Sequence, residues 1–196
     1  TVFVVGGVDG VTDKEAVTFN YDTKLALNTS FSGDDLLKTR IRSGNFGSGP
    51  FSFADGAASP LEVASSTGNS LTIDRAFYQF PVGENLTATV GAVVRQDDML
   101  GVWPSSYPSD SILDVMTYAG ANSAYSLAEG AGAGVTYAKD NLSASLVLVS
   151  DEANDASQGV LTEQGSDDIT AQLAWVADNF TVAAAYTTSD GGNTTD

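Results

Sequence analysis

In LLKTRIRSGNF, residues 36–46, cations stand at every second position: Lys38, Arg40 and Arg42. An extended chain sends residues i, i+2 and i+4 to one face, about 7 Å apart. The mutual repulsion of such a row is tolerable if water and opposing acids surround it. Two more arginines, Arg75 and Arg95, take the polar phase of segments 70–80 and 86–96 if Tyr78 and Val90 take the apolar one. Opposite charge is at hand in RQDDMLGVWPSSYPSDSILDVMTYAG, residues 95–120, which carries Asp97, Asp98, Asp110 and Asp114. An acidic loop facing a basic wall sets a transverse field and decides which ions approach. The bland alternative is a solvated cationic strand beneath a loop whose acids stay in water.

Covalent chemistry has little to work with. The 196 residues include no His and no Cys. The commonest general base, the commonest metal ligand and the thiol nucleophile are therefore missing. The chain is not expected to be an enzyme, and no cofactor and no metal site are expected. A net charge of −17 argues against nucleic acid or an anionic membrane surface as a partner. No apolar run approaches the ~18 residues of a membrane helix. The signs are sorted: among the acids, only Asp22 and Asp74 are expected well inside strands. Lys24, Lys38, Arg40, Arg42, Arg75 and Arg95 are all expected inside strands.

The elements that would position these charges alternate with period two. AVTFNYDTKLALNTSF, residues 16–31, puts Val17, Phe19, Tyr21, Leu25, Leu27 and Phe31 on one face, and from Thr18 onward polar or charged residues, apart from Ala26, on the other. As one strand it would be on the order of 50 Å long. Strands are expected near 1–8, 16–31, 36–46, 70–80, 86–96, 130–138, 142–150, 168–176 and 180–188. The 70–80 segment breaks phase, and a bulge near Asp74 would restore it. Three turns share an acid-Asn pair followed by an apolar residue and Thr or Ser: GENLTAT, KDNLSAS and ADNFTVA. Short turns near 32–35, 81–85, 139–141 and 177–179 alternate with long connections near 9–15, 47–69, 97–129, 151–167 and from 189 onward. Pro81 is expected to end a strand. Aromatic residues sit close to strand ends, as a membrane-interface girdle requires. The fold expected is all-β: an antiparallel up-and-down transmembrane β-barrel, with about nine strands in this chain. Within the 97–129 loop, Met99, Leu100, Val102, Trp103, Ile112, Leu113, Val115 and Met116 are expected to seek burial, with Trp103 and Leu113 packing the loop inward.

Two longer stretches resemble a known family. FNYDTKLALNTSFSGDDLLKTRIRSGNF and IDRAFYQFPVGENLTATVGAVVRQDDMLGVWPSSYPSDSILDVMTYAGA look like the barrel of cyanobacterial outer-membrane porins, relatives of the carbohydrate-selective OprB-type porins, some known as iron uptake porins. The resemblance covers most of residues 1–150. It implies a barrel of about sixteen strands in the outer membrane and passive diffusion of small solutes and inorganic ions. It further implies a homotrimer, and a surface-layer-homology domain and stalk that reach peptidoglycan; neither region is in this sequence. Gln79 stands where many relatives carry Arg, which predicts a less cationic wall.

On this reading residues 1–196 are one partial barrel domain in contact with outer-membrane lipid. The chain starts in TVFVVGGV, without an initiator Met, and is read as a processed protein or a fragment. Val17, Phe19, Tyr21, Leu25, Leu27 and Phe31 meet lipid; Lys38, Arg40, Arg42, Arg75 and Arg95 line the pore; Asp97, Asp98, Asp110 and Asp114 form the constriction loop. Strand residues are held more rigidly than loop residues, so the basic wall is expected to control selectivity. Two other functions compete. One is a secreted or surface β-sheet protein for adhesion or glycan binding, with Ca²⁺ in loops such as DEANDASQG and DGGNTTD. The other is a carboxylate glycosidase. A requirement for detergent separates the porin from both.

Overall fold

The structure, a computed structural model, describes residues 1–7, 16–47, 51 and 61–191. The expected connection at 9–15, much of the one at 47–69 and residues 192–196 of the DGGNTTD segment lie outside the described residues. Within them the chain forms one antiparallel sheet of nine strands in sequence order. The strands are β1 (Val2–Gly6), β2 (Thr18–Thr29), β3 (Leu36–Gly44), β4 (Thr72–Val82), β5 (Leu86–Arg95), β6 (Glu129–Lys139), β7 (Leu142–Ser150), β8 (Ser166–Val176) and β9 (Thr181–Gly191). Each strand pairs only with its chain neighbours, so this is an up-and-down meander, and β1 and β9 are its two edges.

Alternation produces these strands, and hydrogen bonds at the turns fix their register. The short connections span 30–35, 83–85, 140–141 and 177–180; the described long ones span 45–71, 96–128 and 151–165. The acid-Asn repeats have a structural reason. The Asn141 side-chain amide donates to the Val176 carbonyl at 2.5 Å, beside the main-chain bond from the Val176 amide to the Asn141 carbonyl at 2.8 Å; at Asn85 the main-chain carbonyl accepts from the Ala138 amide at 2.9 Å. Asp140 takes φ 52°, which a two-residue hairpin requires and Asp tolerates. The 30–35 turn is tied differently. The Asp35 carboxylate accepts from the Ser30 hydroxyl, the Phe31 and Ser32 amides and the Tyr78 hydroxyl.

Two expectations shift in detail and a third holds. β2 has 12 residues, leaving Val17 and Phe31 just outside it. β4 runs on through Pro81, which pairs with Thr87, to Val82. The bulge is present: Arg40 pairs with Arg75 and Ile41 with Ile73, so Asp74 is the extra residue. That slip turns both Asp74 and Arg75 toward the same buried environment.

The two faces are reversed relative to a protein folded in water. Among the described residues eighteen buried side chains are polar or charged, against nine apolar ones. One face is covered by the 96–128 connection; the other is bare. The bare face carries Phe3, Val5, Phe19, Leu25, Leu27, Ile73, Val90, Val135, Leu146, Leu173, Trp175, Val182 and Tyr186, all exposed. The covered face carries Asn20, Asp22, Arg40, Arg75, Ser143, Ser145, Thr170 and Gln172, all buried.

Candidate functional site: a loop ion-paired to the sheet

The connection from β5 to β6 lies on the polar face because β6 makes room for it. In EGAGAGVTYAK the covered-face positions include Gly132 and Gly134. A Cβ on Gly132 would come within 2.9 Å of Val94 and 3.2 Å of the Met99 methyl; one on Gly134 would lie 3.0 Å from Met99 Cβ. Those vacant positions seat the short 3-10 turn Gln96–Met99. Met99 joins Phe77, Val94, Val147 and Val149 in a small apolar cluster beneath the loop.

Polar contacts extend this seat across β6–β9. The Gly101 amide donates to Ser145 at 2.8 Å and Thr136 donates to the Met99 carbonyl at 3.0 Å. Gln96 is fully buried. Its amide donates to Thr170 at 2.5 Å and to the Ala124 carbonyl at 3.0 Å, and its oxygen accepts from the Leu127 amide. Gln96 thus pins both ends of the connection to β8. Gln172 donates to the Val102 carbonyl and to Tyr125, whose ring meets Trp103 edge-on at 5.3 Å.

Over β2–β5 the attachment is ionic. Arg95 binds Asp97 at 2.6 Å, and Asp110 and Glu62 at 3.3 Å. Arg75, 1% exposed, binds Asp98 and Glu129 at 2.5 Å and reaches Asp74 at 3.9 Å. Lys38 binds Asp98 at 3.2 Å and lies 5.4 Å from the Phe77 ring centroid. Arg40 bridges Asp74 and Asp110. Arg42 binds Asp22 at 2.6 Å and Asp74 at 3.6 Å, and Lys24 binds Asp110 at 3.0 Å. These contacts join six cations and seven carboxylates into a single network.

Charges in the loops feel the network. Burial would raise the Asp110 carboxyl, but Lys24, Arg95 and Arg40 outweigh it and hold it well below the ordinary range. Asp97 is likewise held low, since its hydrogen bonds and charge attraction with Arg95 exceed the burial penalty. Glu62 goes the other way: burial raises it, and Arg95, Lys24 and Arg42 only partly compensate. Tyr118 is pushed up to about 12 by burial and by the Asp114 carboxylate that accepts its hydroxyl.

The structure brings the five expected cations together with Asp97, Asp98 and Asp110. It does not bring Asp114, which stays within the loop with Tyr118 as partner. The geometry also differs in kind from a wall facing a loop across a gap, because the acids touch the cations. Trp103 is half-buried with its ring edge-on to Tyr125, and Leu113, also half-buried, pairs its backbone with Leu61 through a single β-bridge. Ile112, Val115 and Met116 are exposed, contrary to expectation, because the acids and the Met99 side of the loop occupy the sheet. Phe19, Leu25 and Leu27 are exposed on the bare face, as are the flanking Val17 and Phe31; Tyr21 is half-buried, its hydroxyl held by Ser43 and Asn69. Lys24, Asp22, Asp74, Glu62, Glu129, Gln96 and the β6 glycines are additions to the site. Asp22, Lys24 and Asp74 were accessible from strand phase; Glu62 and Gln96 carry no local signal.

No family model matches the chain. Among curated proteins it is similar to the Synechocystis sp. "Uncharacterized protein sll0772", with 25% identity over 187 residues, covering 94% of this chain and 32% of that protein. The chain therefore spans about a third of that relative's length. Among solved structures it is similar to a mutant of the Rh. blastica porin, with 16% identity and a TM-score of 0.41, covering 95% of this chain and 63% of that one.

Proposed function

We propose that this chain forms part of the wall of an outer-membrane porin, through which small solutes and inorganic ions diffuse passively. The observation that carries this reading is the reversal of the faces. Exposed Phe, Leu, Ile, Val and Trp recur on the bare face of strand after strand from β1 to β9, whereas large contiguous apolar surface is rare on a soluble monomer. Hydroxyl, amide and charged groups occupy the opposite face. Eight of the nine strands have 9–12 residues. About 9–11 tilted residues cross the hydrocarbon. Short turns at one end and long loops at the other complete the pattern of outer-membrane barrels.

In hydrocarbon every strand edge must be paired, so the free edges of β1 and β9 must pair with each other or with further strands. A barrel of about sixteen strands, as the OprB-type resemblance implies, would supply them. A homotrimeric assembly, attachment to peptidoglycan and a place in a cyanobacterial outer membrane belong to the same proposal. The test is extraction and reconstitution. The protein should stay folded only in detergent or lipid and should insert into planar bilayers as stepwise ohmic channels. A folded protein soluble without detergent and silent in bilayers would overturn the reading.

A further inference from the structure

Resting on the porin reading, we propose that the permeation path prefers cations, with the arginine row neutralised in place rather than offered to passing anions. The row Lys38, Arg40 and Arg42, with Arg75 and Arg95, looks anion-attracting only while its partners are ignored. Each of these groups touches at least one carboxylate, and so does Lys24. Six cations against seven carboxylates leave the network a formal charge of −1. Its most buried member, Arg75, is sealed from any solute.

The network also uses most of the positive charge available. The chain has 8 Lys and Arg. Of the two outside the network, Lys14 lies beyond the described residues, and Lys139 sits at the short-turn end of β6. Carboxylates remain at both ends of the sheet. At the long-loop end, Asp151, Glu152 and Asp168 lie close together. The Ser166 amide donates to Glu152, and the Ser126 hydroxyl donates to Asp168. Asp151 is raised by burial and by Glu152, Asp168 and Glu129. At the short-turn end stand Asp34, Glu84, Asp140 and Asp178. An ion entering from either side therefore meets negative potential first, and meets a near-neutral wall inside. Clefts lined by one sign of charge concentrate the opposite ion.

The test is the reversal potential of the purified protein in planar bilayers under a KCl gradient. Potassium preference is expected. It should fade as salt rises, because the screening length falls from about 10 Å at 0.1 M to about 3 Å at 1 M. The combined Asp151→Asn, Glu152→Gln and Asp168→Asn variant should move the reversal potential toward zero. Lys24→Gln, a half-buried group whose loss should leave the fold intact, should move it further toward potassium. Chloride preference in the unaltered channel, or a reversal potential that neither variant moves, would overturn the inference while leaving a porin. Absence of any channel would instead overturn the porin reading on which it rests.

Discussion

Asp74 shows how one residue can hold several others in place. It is the extra residue of the β4 bulge, and it touches Arg40, Arg42 and Arg75 at once. A buried charge left without its partner is far costlier than the pair was favourable. Asp74→Asn leaves Arg40 with Asp110, Arg42 with Asp22 and Arg75 with Asp98 and Glu129, so no cation is wholly orphaned, and the fold should lose about 1.5–3 kcal/mol in urea unfolding. Lys38→Gln removes a more exposed partner of Asp98 and should cost no more than about 1 kcal/mol. Equal effects would show that the network's energy does not follow burial. At this scale the sequence was partly legible. The alternation in LLKTRIRSGNF put the three cations on one face, but nothing in it shows which carboxylates meet them.

At the scale of elements, the attachment of the 96–128 connection is part steric and part ionic. Gly134→Val would place a side chain against Met99 and should lift the 3-10 turn from β6. Limited proteolysis should then cut within 96–128, where the unaltered protein resists. The ionic part has a pH sign. Asp97 and Asp110 are held below the ordinary aspartate value of 3.8. Their contribution is complete above that value and is lost as pH falls through their lower folded values. Glu62, raised above 4.5 by burial, takes up its proton first, and that protonation favours the folded state. Hydrogen exchange in 96–128 should therefore stay slow on mild acidification and accelerate only below about pH 3.8, as Lys24, Arg40 and Arg95 lose Asp110 and Arg95 loses Asp97. Acceleration already at pH 5 would contradict this assignment.

For the whole molecule, the decisive variable is the solvent on each face. Leu25 is exposed in mid β2 on the bare face, opposite Ile41. Leu25→Arg should impair assembly into lipid, since a cation at mid-membrane on the lipid face costs about 2–4 kcal/mol. Asn28→Asp, on the other face of the same strand, should be nearly neutral. Asn20 is a poor control, because its amide donates to the Asn45 carbonyl. Folding yields into lipid vesicles measure both, and equal tolerance would mean that both faces meet water.

The sequence by itself determined the strands, their order and the phase of each, because side-chain alternation is a local property. Nine segments were readable, and so was the Asp74 bulge, since a break in phase is visible without any partner. It also placed the cations on one face and Asp97, Asp98, Asp110 and Asp114 in one connection. What it could not decide was contact. The seat on Gly132 and Gly134, the Gln96 pin and the recruitment of Glu62 and Glu129 all join residues far apart in the chain. Asp114 and Asp110 have the same residue type and lie four positions apart. One reaches three cations and the other hydrogen-bonds a tyrosine of its own loop, because only packing fixes which turn of the loop faces the sheet. Charge sign is written in the sequence; whether a charge is free or neutralised depends on distances that only the tertiary structure sets.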